Sequence, residues 1–151
     1  MITFRMNKNI QIIYVFFIIL PTVLALFGLI GSEQSVGITG KLKCKGLPAS
    51  NVTLRLYDKD IMKDSLLVEK QLGADGVFDI KGKQREFSTI EPYLSIIHNC
   101  NLKTGCHKTI NIPIPSAYVF QSSNARKSYN IETIELANTT LKFSLDCPKN
   151  Q

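Results

Sequence analysis

Two cysteines and two histidines fall within eleven residues of the segment HNCNLKTGCHK, residues 98–108. Thiolate and imidazole groups are the ligands that zinc prefers, and they also act as nucleophiles and general bases in enzymes. The spacing argues against zinc, because five residues separate Cys100 from Cys106 where zinc pairs usually have two to four. His107 follows Cys106 directly and falls on the opposite face of a strand. The segment therefore predicts no metal site, no catalytic site and no cofactor.

A disulfide is the better interpretation of this segment if the chain passes through an oxidising compartment. Cys100 ends one predicted strand and Cys106 begins the next, so the simplest geometry is a bond between them across a hairpin. Four cysteines allow three pairings. With Cys100–Cys106 formed, Cys44 pairs with Cys147 and ties the first strand to the tail.

Residues 1–32 have the pattern of a secretory signal peptide. Arg5 and Lys8 precede the apolar run of residues 10–30, and small residues follow near Gly31. The run approaches the ~20 residues of a membrane span, so an uncleaved anchor is the alternative. Cleavage is favoured because only soluble-domain sequence follows. We therefore expect a protein secreted to the extracellular region, one domain over residues 33–151, and no stable membrane insertion after cleavage.

Charge and glycosylation motifs agree with that expectation. The formal net charge is +6, and loss of the two basic residues of the signal lowers it to +4. The lysines are scattered rather than clustered, which does not support nucleic-acid binding. Asn51-Val52-Thr53 and Asn138-Thr139-Thr140 are acceptor motifs for N-linked glycans, so we predict a glycoprotein modified at Asn51 and Asn138.

Short runs of alternating apolar and polar residues follow the signal, as in VGITGKLKC and NVTLRLYDKD. Period-two alternation is typical of half-buried antiparallel strands, and turn residues separate the runs. The run EPYLSIIHNC has apolar residues on both faces, which predicts a central strand. Seven to eight such strands predict an all-β fold, a two-sheet antiparallel β-sandwich.

The order of these motifs resembles the nematode transthyretin-like family of small secreted proteins, over about residues 36–136. The matching positions are Gly40, Leu42, Cys44, Gly46, Pro48, Val52, Leu54, Leu56, Asp58, Asp64, Leu66, Gly76, Phe78, Ile80, Gly82, Pro92, Tyr93, Leu94, Ile96, His98, Cys100, Ile112, Ile114, Pro115 and Tyr129 to Ile131. The resemblance implies a transthyretin (prealbumin)-like sandwich, an extracellular location and a binding role. It does not carry thyroid-hormone binding to this chain.

One enzyme activity and two further sites are considered for chemistry. The hydroxyisourate hydrolases, the enzyme branch of the transthyretin fold, use several histidines, an arginine and a C-terminal Tyr-Arg-Gly-Ser, whereas this chain has only two histidines and ends DCPKNQ. His98 shares a face with Leu94 and Ile96, which favours a hydrogen-bonded core histidine over a catalytic base. Asp58, Asp60 and Asp64 invite a calcium interpretation, but lysines interleave and a solvated loop is favoured.

We therefore predict a non-enzymatic protein that binds an extracellular protein or a cell-surface ligand. The alternatives are a carrier of a small apolar ligand and, less favoured, a hydrolase. A large apolar cavity would indicate a carrier, and a cleft joining His98 to an acid and a nucleophile would indicate an enzyme. The sequence names neither the partner nor the oligomeric state.

Overall fold

The computed structural model describes residues 7–26 and 31–148. Helix α1 (Lys8–Leu26) precedes ten strands, and a 3-10 turn covers Ser116–Tyr118. The strands are β1 (Ser32–Cys44), β2 (Leu47–Pro48), β3 (Val52–Asp58), β4 (Ser65–Gln71), β5 (Val77–Glu86), β6 (Pro92–His98), β7 (His107–Pro113), β8 (Val119–Phe120), β9 (Tyr129–Glu135) and β10 (Phe143–Asp146). Strands β2 and β8 have two residues each, so eight longer strands form the predicted all-β sandwich.

Helix α1 contributes no described side chain to the sandwich core, since its side chains from Gln11 to Leu20 are all exposed. Among the described residues, no helix has both the length and the apolar character needed to cross a membrane. The predicted signal peptide includes residues 1–6 and 27–30, which lie outside the described residues. Strand β1 starts at Ser32, so cleavage after Gly31 would leave the strand whole, and cleavage after Ser32 would remove its first residue.

One sheet has the order β10-β7-β6-β3-β4, and every neighbouring pair in it is antiparallel. Strand β6 lies in the centre, as its two apolar faces predict. Strand β3 alternates without a break between buried and half-buried residues, because every second side chain enters the core. Strand β7 ends at Pro113, whose missing N–H cannot continue a ladder.

The other sheet is built around β1. Strand β5 pairs antiparallel with β1 over Ser32 to Lys41, and β2 forms a hairpin with its last residues. Strand β8 pairs with Ser35 and Val36, and β9 pairs with Ile38 to Lys43 in parallel. The parallel pair differs from the all-antiparallel expectation, because β9 returns from the far side of the sandwich in the same direction as β1.

Side chains from both sheets fill the space between them. Fully buried members from the β1 sheet and its flanks are Val36, Ile38, Leu42 and Leu136, and those from the β6 sheet are Leu54, Leu56, Leu94, Ile96 and Ile110. Burial of one such side chain stabilises the fold by about 1.5–3 kcal/mol. The core therefore fixes the sheets, and the loops at both ends extend from a rigid base.

The turn between β4 and β5 needs glycine at Gly76. Its φ of +71° lies in the left-handed region, and an added Cβ would meet the carbonyl oxygen of Leu42 at 2.5 Å. The Asp75 carboxylate accepts the N–H of Val77 at 3.1 Å. The Asp-Gly pair thus forms the turn, and the N–H of Leu42 on β1 donates to the Gly76 carbonyl at 2.8 Å.

Candidate functional site

One end of the sandwich carries three exposed apolar side chains, which we call the loop tip: Ile61, Met62 and Phe87. Ile61 and Met62, in the β3–β4 loop (59–64), are fully exposed. Phe87, which begins the β5–β6 loop (87–91), is 74% exposed. Ile61 and Met62 line an open cleft of about 680 Å³ with Ser88, Thr89 and Glu91 of the β5–β6 loop, and Phe87 lies next to that stretch in sequence. The loop tip therefore presents large apolar side chains to water from two loops that share a cleft.

Hydrogen bonds hold the base of the β3–β4 loop. The backbone N–H of Asp60 donates to Asp64 Oδ1 at 3.2 Å, and the hydroxyl of Ser65 donates to Asp60 Oδ2 at 2.6 Å. The Tyr93 hydroxyl donates to Asp64 Oδ2 at 2.6 Å, and its ring stacks on Tyr57 at 5.3 Å. Burial and this bond to Asp64 raise the pKa of Tyr93. The loop tip is thus presented from a fixed base.

The acidic cluster below the loop differs from the sequence prediction. The carboxylate oxygens of Asp58, Asp60 and Glu86 lie within 4.8 Å of one another, whereas Asp64 faces the Tyr93 hydroxyl. The prediction of a solvated loop is wrong for Asp58, which is only 2% exposed. Burial raises the pKa of the Asp58 carboxyl, and the charges of Asp60 and Glu86 raise it further.

These three carboxylates are the group of described residues that could hold a metal ion. Calcium takes six to eight oxygen ligands, and the cluster offers one atom from each of three side chains. The carboxylates already accept hydrogen bonds: Asp58 from the N–H of Glu91 at 2.7 Å, Asp60 from Ser65, and Glu86 from Gln84. The arrangement is that of carboxylates linked to neighbouring loops, and we assign no metal to it.

His98 is a core histidine, as its position on the inner face of β6 predicts. It is 1% exposed, and its Nδ1 accepts the backbone N–H of Cys100 at 3.2 Å. Its Nε2 is buried and has no hydrogen-bond partner among the described residues. Burial lowers the pKa of His98 to about 4, and the positive charge of Lys108 contributes. The described residues thus join His98 to neither an acid nor a nucleophile. His107 lies outside, with its Nε2 at 3.6 Å from Oδ2 of Asp146.

All four cysteines are in disulfides, but both predicted pairings are wrong. Cys44 bonds to Cys100, and Cys106 bonds to Cys147. Cys100 cannot reach across its own hairpin, because it continues the inward-facing series of Leu94, Ile96 and His98. An inward side chain meets the opposite sheet, where Cys44 ends β1.

The second disulfide follows from the position of the tail. Strand β10 pairs with β7 and places Asp146 opposite His107, so the next residue outward on each chain is a cysteine. The prediction had placed the tail beside β1. The Cys44–Cys100 bond therefore ties the two sheets together, and the Cys106–Cys147 bond holds the tail on the edge of one sheet.

The two predicted glycosylation sites have exposed acceptor side chains. Asn51 directly precedes β3 with a φ of +54°, and Asn138 lies in the turn after β9. Both positions are accessible to a glycan at the protein surface, and modification itself remains a prediction.

Sequence reasoning missed the loop tip and Glu86. The pair Ile61-Met62 interrupts a polar loop between Asp60 and Lys63, and this break in the pattern was a usable signal. Glu86 gave no such signal, because it lies on β5 of one sheet and meets Asp58, on β3 of the other, only in the folded sandwich.

Comparison with known proteins agrees with this geometry. The model of the transthyretin-like family matches residues 39–115. Transthyretin-like protein 5 of Caenorhabditis elegans is 37% identical over 134 residues, which cover 86% of this chain and 96% of that protein. Transthyretin-like protein 2 of the same nematode is 32% identical, over 80% of this chain and 86% of the relative. Transthyretin-like protein 33, also from that nematode, is 36% identical, over 78% and 87%.

The fold defines a class, that of two-sheet β-sandwich domains tied by disulfides. Within this class, the order of the motifs, the match to the family model and the similar relatives together identify one family. The chain belongs to the transthyretin-like family.

Proposed function

We propose that this protein is secreted and acts outside the cell by binding an extracellular protein or a cell surface, without catalysis. The exposed loop tip carries this proposal. Exposed apolar side chains that stand together commonly mark interaction sites, and aromatic and methionine side chains are enriched in interfaces. The two disulfides support an oxidising, extracellular location.

The geometry of the loop tip supports binding in two ways. Its base is fixed by hydrogen bonds, so little conformational entropy is lost when a partner covers it. Lys59 and Lys63 are exposed on either side of Ile61 and Met62, and the carboxylates of Asp60 and Glu91 line the same cleft. Charges of both signs beside an apolar centre orient the encounter with a partner surface of complementary charge.

The environment of His98 supports a binding role rather than a catalytic one. A general base needs a hydrogen-bonding position next to the group that it deprotonates. The Nε2 of His98 is buried and bonds to none of the residues that the structure describes, and its Nδ1 accepts a backbone N–H. The carboxylates of Asp58, Asp60 and Glu86 lie at the opposite end of the sandwich.

The test compares three forms of the oxidised protein, labelled and applied to nematode cells and to extracellular fluid. The first is the unchanged chain, and the second carries Ile61→Ser, Met62→Ser and Phe87→Ser. The third carries Leu47→Ser, which removes an apolar group that is 70% exposed at the other end of the sandwich. Protease treatment of the cells separates protein partners from other surface ligands.

We expect the loop-tip variant to lose at least tenfold in binding, since truncation of central apolar anchors typically costs 1–2 kcal/mol each. The Leu47→Ser control should bind like the unchanged chain. Equal binding by the loop-tip variant, or no binding by any form, would overturn the proposal.

A further inference from the structure

A second surface lies along strand β9. On one side β9 pairs with β1, and no strand within the described ranges pairs with its other edge. An open groove of about 550 Å³ runs along that edge, and every residue from Tyr129 to Glu135 lines it. The far wall is the segment of residues 138–141. An unpaired edge presents backbone N–H and C=O groups that another extended chain can use.

The groove has an apolar rim. Ile112, Ile134 and Tyr129 are half-buried and pack against the core with their inner parts. Leu141, on the far wall, is 40% exposed. These groups form shallow apolar sites beside the strand edge, at which alternate side chains of an added strand can dock.

A β-bulge shapes the middle of this edge. Between Thr39 and Lys41 the register shifts, so that Ile131 and Glu132 together face Gly40. A Cβ at Gly40 would meet Cγ1 of Ile131 at 2.6 Å, so Ile131 fills the space that a side chain there would take. Glu132 has a φ of +58°, and its N–H donates to Asn130 Oδ1 at 2.9 Å. The bulge thus changes the direction of one side chain on this edge, which is a common effect of β-bulges.

The two carboxylates of the groove differ in their partners. Glu135 accepts the N–H groups of Lys45 at 2.8 Å, Gly46 at 2.9 Å and Ala137 at 3.0 Å, which lowers its pKa. The exposed carboxylate of Glu132 has no hydrogen bond or ion pair with any described residue. An exposed carboxylate with no partner among the described residues therefore lies in the middle of an open strand edge, on a residue whose φ is in the left-handed region.

We propose that the β9 edge binds an extended peptide segment of a partner protein, with apolar residues at alternate positions and a lysine or arginine facing Glu132. The backbone of the peptide adds a strand to β9, its apolar side chains contact the rim, and its cation pairs with the Glu132 carboxylate. This site is separate from the loop tip, and its failure would leave the proposed function untouched.

The test uses synthetic heptapeptides of alternating threonine and valine with one central lysine. One matched peptide has glutamate in place of the lysine, and another has prolines that remove backbone N–H groups. The oxidised protein carries Asn138→Gln, so that no glycan covers the groove. Titration followed by amide NMR shifts gives both the affinity and the position of binding.

We expect shifts confined to β9 and residues 138–141 for the lysine peptide, weaker binding of the glutamate peptide, and none of the proline peptide. Glu132→Gln should weaken binding of the lysine peptide about two- to fivefold, the range of an exposed ion pair. Asp79→Asn, which removes an exposed carboxylate on β5, is the matched control and should have no effect. Three outcomes would overturn the proposal. These are shifts elsewhere, equal binding by the Glu132→Gln variant, and pairing of this edge with a second copy of the chain without peptide binding.

Discussion

At the scale of single residues, His98 is a titratable side chain that is 1% exposed in the core. It is buried in its neutral form beside the Cys44–Cys100 disulfide, and its Nε2 has no partner within the described part of the chain. A buried neutral histidine is compatible with the folded core at neutral pH. In acid it destabilises the fold, because the proton binds more tightly to the unfolded chain. The same burial that makes it unsuitable as a catalyst makes it sensitive to pH.

The first prediction concerns acid stability. The pKa of His98 is about 4 in the folded protein and 6.5 when unfolded, so the unfolded chain binds the proton first. Above pH 6.5 the protonation of His98 does not reduce the free energy of unfolding. As the pH falls from 6.5 toward 4, the free energy of unfolding decreases by about 3 kcal/mol. His98→Gln keeps an acceptor without this titration. Guanidinium unfolding at pH 7 and pH 4 should show a smaller difference for the variant, and an equal difference would contradict the assignment.

Single residues also show what sequence reasoning can supply. The faces of β3 and β6 follow from alternation, so the burial of Leu54, Leu94 and His98 was predictable. The disulfide pairing was within reach too, because Cys100 shares the inward face of His98. The position of the tail was not, since LKFSLDC alternates equally well beside either sheet and only long-range packing selects β7.

At the scale of elements, the contact between β1 and β9 depends on a glycine, Gly40, which has no side chain. Ile131 lies over Gly40, and the ring of Phe78 approaches the same point, with Cζ at 2.9 Å from an added Cβ. The bulge in β9 and the glycine in β1 therefore form one unit.

The second prediction tests that unit. Gly40→Ala should destabilise the fold by about 1–3 kcal/mol, because the added methyl group overpacks the contact with Ile131 and Phe78. Gly73→Ala is the control, since its Cβ would meet only the end of the Asp75 side chain, at 3.2 Å. Chemical denaturation of both variants measures the effect. Equal stability of the two variants would show that the strands move apart at little cost.

The third prediction separates the two disulfides. The sequence separations of 56 and 41 residues give nearly equal entropic terms, about 4 kcal/mol each in the chain-entropy model. Cys100 is buried, whereas all four residues of β10 beside Cys147 are exposed. Replacing both Cys44 and Cys100 by alanine should therefore cost more free energy of unfolding than replacing Cys106 and Cys147, because it also leaves a cavity.

Limited proteolysis complements that measurement. Loss of Cys106–Cys147 should make residues 138–148 the first segment cleaved while the sandwich stays folded. A larger loss of stability from this pair than from Cys44 and Cys100 would contradict the assigned roles.

At the scale of the whole molecule, the core holds the two proposed binding surfaces apart. The loop tip lies at the end where β3 meets β4, and the two sheets are joined by Cys44–Cys100 near the other end. The β9 groove runs along the side. The family could be identified from the order of motifs. The surfaces could not, because alternation does not show which strand edge stays unpaired or which loops share one end of the sandwich.

The fourth prediction concerns glycans on this surface. In a chain produced by a secretory host, Asn51 and Asn138 should both be modified, because both side chains are exposed. Partial digestion with a peptide N-glycosidase should give one band shift, for one glycan, in each single variant, Asn51→Gln and Asn138→Gln. The unchanged chain should give two successive band shifts, for two glycans. No change in mobility would remove both sites.

The parallel pairing of β1 with β9 also determines the order in which the chain can mature. Strand β1 is synthesised first but is the centre of its sheet, and its parallel neighbour begins about 85 residues after Cys44. Contacts this distant in sequence slow folding, because loop closure precedes the gain from pairing. A ribosome must therefore release nearly the whole domain before the first strand has both neighbours. Until then its apolar residues and open edges are available to chaperones, and to other nascent copies.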